Sequence, residues 1–80
     1  MIDSDKIKEV VSRITSRFNP ERIILFGSYA SGNQDMNSDL DLLIIQETEL
    51  PMHKRGLEIR LSLIGAMIPI DLLVYTKAEF

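Results

Sequence analysis

The 80-residue chain has no cysteine and one histidine, His53. Without thiols it can hold neither a disulfide framework nor a thiolate zinc site. No apolar run approaches the ~20 residues that span a bilayer. The opening residues, Met1-Ile2-Asp3-Ser4-Asp5, lack a basic segment leading into an apolar one. That argues against a secretory leader and for a cytoplasmic location. Positive charge is scarce too: nine lysines and arginines against twelve acids leave a net charge of −3. Broad electrostatic binding of nucleic acid is not expected of such a chain. A nucleotide gripped through bound metal stays compatible, because the ion supplies the positive end. What the chain does have is 45% hydrophobic and 26% charged residues, a composition that folds. Its length sets the expectation of one small domain, residues 1–80, near the size at which a single core is only just sufficient.

Periodicity gives an order of elements. Ile7, Val10, Val11, Ile14 and Phe18 share one helical stripe over residues 4–18, capped by Asp3 or Ser4 and closed by Asn19-Pro20. Arg22 to Phe26 reads as a short strand buried on both faces. Ser28 to Ser31 reads as one helical turn ending at Gly32, and residues 33–38 as a loop. Leu40 to Gln46 reads as a second buried strand. Residues 52–68 fit a helix, with Leu57, Leu61, Ile64 and Ile68 on one face and Gly56 and Gly65 as weak points. Alternation over Leu57 to Leu63 suits a strand as well, but length and the need for a crossover favour the helix. Pro69 to Tyr75 is a third strand. The expected fold is α/β, a small mixed sheet flanked by helices in the order α-β-α-β-α-β. Thr76-Lys77-Ala78-Glu79 is a capping-box pattern, which normally opens a helix, and only Phe80 follows it. The expectation drawn from this is a final helix removed by truncation.

The chemistry concentrates in Gly27-Ser28-Tyr29-Ala30-Ser31-Gly32 and Ser38-Asp39-Leu40-Asp41-Leu42. Residues two apart in a strand share a face, so Asp39 and Asp41 project together. Two adjacent carboxylates repel unless a cation lies between them, and hard oxygen ligands suit magnesium. Asp71, in the third strand, would join them if that strand lies beside the second. Three carboxylates can hold two magnesium ions roughly 3.5–4 Å apart for in-line nucleotidyl transfer. Gly27 allows backbone to approach a phosphate closely, and Ser28 can bind its oxygens where a helical turn begins. Each feature has a plainer reading: an Asp-x-Asp at a solvated strand end, a simple Gly-Ser turn, an aspartate at an exposed strand edge. Their conjunction at three strand ends favours a metal–nucleotide site. His53, Lys54, Arg55 and Arg60 read as a solvated helix face, with a nucleotide groove as the alternative. Tyr29 and Tyr75 read as packing residues rather than base-stacking ones.

These residues resemble the signature of the minimal nucleotidyltransferases of the DNA polymerase beta superfamily: an apolar strand, Gly-Ser, about ten residues, then Asp-x-Asp, with a third aspartate on a later strand. The resemblance implies catalytic, metal-binding roles for Asp39, Asp41 and Asp71 and nucleotide contacts from Gly27, Ser28 and Ser38. It implies two Mg2+ ions and transfer of a nucleoside monophosphate, AMP from ATP, onto a hydroxyl. Small members of the family are similar to antitoxins paired with a helical HEPN-type ribonuclease toxin, so such a protein is one expected partner, and a homodimer another. Many relatives carry arginine beside the alanine of the turn, where this chain has Tyr29-Ala30-Ser31. Two other functions fit the same pattern: a binding module that neutralises its partner by masking, and the catalytic domain of an antibiotic-modifying transferase.

Overall fold

The computed structural model describes residues 2–80, and its first element follows from the apolar spacing. Helix α1 (Ser4–Phe18) is capped by Asp3, whose carboxylate accepts from the Lys6 amide at 2.8 Å. Val10 and Ile14 are fully buried, with Ile7 and Phe18 packed beside them. Glu9 and Arg13 form the surface pair that their spacing allows, at 3.4 Å. Asn19 ends the helix in the left-handed conformation, φ 47°, and its amide returns to the Thr15 carbonyl.

Strands β1 (Arg22–Phe26), β2 (Leu40–Ile45) and β3 (Ile70–Tyr75) make one mixed sheet in the order β1-β2-β3. β1 runs antiparallel to β2, and β3 parallel to it. The central strand follows the pleat: Leu40, Leu42 and Ile44 are buried to 0% exposure, in one cluster with Val10 and Ile14 of α1. Leu72 and Val74 of β3 share that buried face. Asp41 and Leu43 of β2, and Asp71 and Leu73 of β3, alternate with them onto the opposite face. β1 departs from expectation. It is an edge strand, so Ile23 to Phe26 are half-buried rather than enclosed on both sides.

The expected helix over 52–68 is broken. A 3-10 turn (Met52–Lys54) gives way at Gly56, φ 82°, and only Leu57–Ser62 forms helix α3. Gly56 is packed so that an added Cβ would lie 3.3 Å from Val74 Cγ2. The left-handed conformation and this closeness suit glycine and interrupt the helix. The packed face of α3 also differs from the expected stripe: Ile59 and Leu63 enter the core, while Leu57, Leu61 and Ile64 face outward.

After β3 the capping box closes. The Thr76 amide donates to Glu79 Oε1 at 2.7 Å, and the Glu79 amide to Thr76 Oγ1 at 3.3 Å. Among the described residues no helix is long and apolar enough to cross a membrane.

Candidate active site

The chain turns out of β1 at Gly27, with φ 73° and ψ −152°, a region essentially reserved for glycine. Helix α2 (Ser28–Ser31) begins at once, a single turn in which the Ala30 and Ser31 amides return to the Gly27 carbonyl. Gly32, φ 82°, closes it. The first amides of such a turn have no partner within it, so they are available to an anion. Tyr29 packs against the core, and its hydroxyl accepts from the Ile2 amide at 2.8 Å. It is thus a structural tie, as its expected packing role requires.

Asp41 is the register partner of Phe26 in β1 and of Asp71 in β3. Its carboxylate lies over Gly27, where an added Cβ would sit 2.1 Å from Oδ2. Adjacent strands lie roughly 4.8 Å apart, so Asp41 and Asp71 are lateral neighbours. Asp39 precedes β2 in the loop and is exposed, as is Asp71; Asp41 is half-buried. Asp71 sits on the solvent face of an edge strand, the plainer of its expected positions, and bears no desolvation penalty.

Among the described residues, none of the three carboxylates forms a salt bridge. Nor, among those residues, are three acidic or imidazole side chains gathered closely enough to hold a metal ion. The backbone register brings Asp41 and Asp71 side by side, and Asp39 stands two residues before Asp41. The donor set is all hard oxygen, which suits magnesium. Ser38 is engaged elsewhere: its hydroxyl accepts from the Asp35 amide at 2.9 Å and pins the loop leading to β2.

A cavity of about 630 Å³ lies at the other end of the sheet, lined by residues including Phe18, Gln46, His53 and Val74. A smaller one of about 370 Å³ reaches Tyr29, Ser38 and Pro69. Neither is lined by Asp39, Asp41 or Asp71.

Residues 4–80 match the family model described as the nucleotidyltransferase domain. The chain belongs to that family. The chain is also similar to a Methanocaldococcus jannaschii protein, a candidate protein adenylyltransferase by its name, with 39% identity over 51 residues. That alignment covers 61% of this chain and 51% of the relative, so the chain spans about half the length of the curated relative it matches. No solved structure is a significant match.

The basic residues of this nucleotidyltransferase have a role that the sequence did not disclose. Arg55 is not on a solvated face: its side chain is only 9% exposed and it lines the cavity at the other end of the sheet. Its guanidinium donates to the carbonyls of Leu50 at 2.8 Å and Val74 at 3.3 Å and to Glu79 Oε1 at 2.5 Å. Arg55 beside it, and then the Thr76 amide, hold the Glu79 carboxyl down at about 2 from its ordinary 4.5. Arg60 donates to the Leu72 carbonyl at 3.0 Å. The capping box was legible in the sequence, but the partner that Glu79 would take was not. His53 and Lys54 are exposed, as a solvated segment requires.

Proposed function

We propose that the chain is one domain, residues 1–80, which transfers AMP from ATP to a hydroxyl acceptor in the presence of magnesium. The observation that carries this reading is the placement of Asp41: its carboxylate sits over Gly27, its strand neighbour is Asp71, and among the described residues it forms no salt bridge. Asp39, Asp41 and Asp71 are the residues that would hold the metal. In its support, Asp41 and Asp71 are lateral neighbours in the strand register and Asp39 stands two residues before Asp41. Two magnesium ions, when bound, supply activation of the acceptor oxygen and charge neutralisation at the pyrophosphate.

The protein's own groups do the rest. Gly27 presents bare backbone to the triphosphate, and the Ser28 amide and hydroxyl donate to its oxygens. Ser38 holds the loop so that Asp39 enters β2 at a fixed height, and contacts the nucleotide if its bond to Asp35 opens. The acceptor oxygen forms a bond to the α-phosphorus, the bond from that phosphorus to the bridging oxygen breaks, and pyrophosphate leaves. Asp71, the most open of the strand carboxylates, takes the proton of the acceptor hydroxyl.

A protein acceptor is the favoured class, because the related archaeal protein carries that activity in its name. In this reading the chain works in the cytoplasm beside a helical HEPN-type toxin, as an antitoxin that modifies its partner. The test is incubation with magnesium and ATP labelled on the α-phosphate, with and without such a partner. Label should pass to the partner with wild type and fail to pass with Asp39→Asn or Asp41→Asn. If those variants neutralise the partner fully without transferring label, masking replaces catalysis.

A further inference from the structure

Helix α3 is apolar on both sides. Ile59 and Leu63 fill the core, while Leu57, Leu61 and Ile64 stand 62%, 55% and 74% exposed along the outer face. Exposed apolar side chains clustered in this way mark interaction surfaces. The kind of occupant is limited by what lies alongside. β3 is the edge of the sheet, yet its outward carbonyls at Leu72 and Val74 already accept from Arg60 and Arg55. An added β-strand would have to displace both guanidinium groups, so the partner docks through side chains instead.

The charges beside the apolar stripe identify that partner. Leu57 and Leu61, four residues apart, stack on one side of this six-residue helix, and Ile64 continues their seam in the turn beyond it. At 100° per residue Glu58 falls on one flank of the seam and Arg60 on the other. A two-fold axis running along the helix brings opposite flanks together, so Glu58 of each copy faces Arg60 of its neighbour. The surface is self-complementary, as a two-fold interface requires. Arg60 spends one of its five donors on Leu72 and retains others for a carboxylate. We propose that this face of α3 is a homodimer interface, in which the Leu57–Leu61–Ile64 seams of two copies pack in parallel and Glu58 pairs with Arg60 across the axis.

Sedimentation equilibrium on the full chain tests this, from low micromolar to several hundred micromolar. The expected result is a reversible monomer–dimer equilibrium for wild type. Leu61→Glu should weaken it by about 100-fold while leaving the far-UV circular dichroism unchanged, since Leu61 lies outside the core. Leu57→Glu repeats the test if that variant fails to fold. Glu58→Arg should weaken the dimer about tenfold at low salt, and Glu58→Arg with Arg60→Glu should restore it. A wild-type monomer throughout the range overturns the proposal. So does dimerisation of folded Leu61→Glu or Leu57→Glu at wild-type strength, and a folded double variant that stays weak overturns the two-fold pairing.

Discussion

Asp41 occupies the space that any side chain at Gly27 would need: a Cβ there would lie 2.1 Å from its Oδ2. The contact is with the far end of a short side chain, so Gly27→Ala can be relieved by rotating Asp41 away. The backbone strain at φ 73°, ψ −152° has no such relief and costs about 1–3 kcal/mol. The variant should therefore unfold at lower urea concentration by that amount. It should lose label transfer far beyond what the lost stability explains, because the displaced carboxylate no longer lies over the turn that the proposal gives to the triphosphate. Transfer at wild-type rate by a folded Gly27→Ala protein would refute the role given to Asp41.

Magnesium should stabilise the folded chain, since it binds native carboxylates that the unfolded state does not assemble. At a concentration 100 times its dissociation constant the gain is about 2.7 kcal/mol, readable as a rise in melting temperature. Asp41→Asn should abolish that rise. No magnesium effect on wild type would remove the metal from the proposal.

Arg55→Met keeps the aliphatic bulk and removes every hydrogen bond of the guanidinium. It should cost about 2–3 kcal/mol, because Arg55 is nearly buried and the Val74 and Leu50 carbonyls lose a charged donor. Arg55→Lys should recover only a fraction, since one ammonium cannot reach three acceptors as the planar fork does. Urea unfolding of the three proteins checks the order.

The same contact sets an acid limb. Glu79 is held at about 2 when folded, against an ordinary 4.5. A carboxyl with a lowered folded value binds its proton more tightly when unfolded, so falling pH drives unfolding. Its contribution is complete above about 4.5 and disappears as pH falls toward 2. The urea midpoint should decline across that window, and Glu79→Gln should flatten the decline while lowering the midpoint at neutral pH.

Sequence reasoning succeeded where a local pattern decides the outcome. The bounds of α1 follow from its stripe and caps, and the single turn from Ser28 to Ser31 follows from its flanking glycines. The turn at Gly27 and its closeness to the Asp-x-Asp segment were legible because turn geometry and strand alternation act over a few residues. It failed where distant neighbours decide. Val74 packs against Gly56 and the helix breaks there, and nothing near Gly56 in the chain reveals that contact. The inward face of α3 depends on which side meets the sheet, and both sides are apolar. Arg55 looked solvated because its partners lie 19 and 24 residues away.

The parallel pairing of β2 with β3 bears on the order of folding. Leu40 meets Ile70 and Asp41 meets Asp71, whereas the antiparallel pairing of β1 with β2 begins from Phe26 and Asp41, much closer in sequence. Nearer segments close with less entropy loss, and non-local strand pairing is slow. The β1–β2 ribbon, with Gly27 against Asp41, therefore forms before β3 arrives. Asp71 joins last, so partial unfolding removes the proposed proton acceptor while leaving the turn intact.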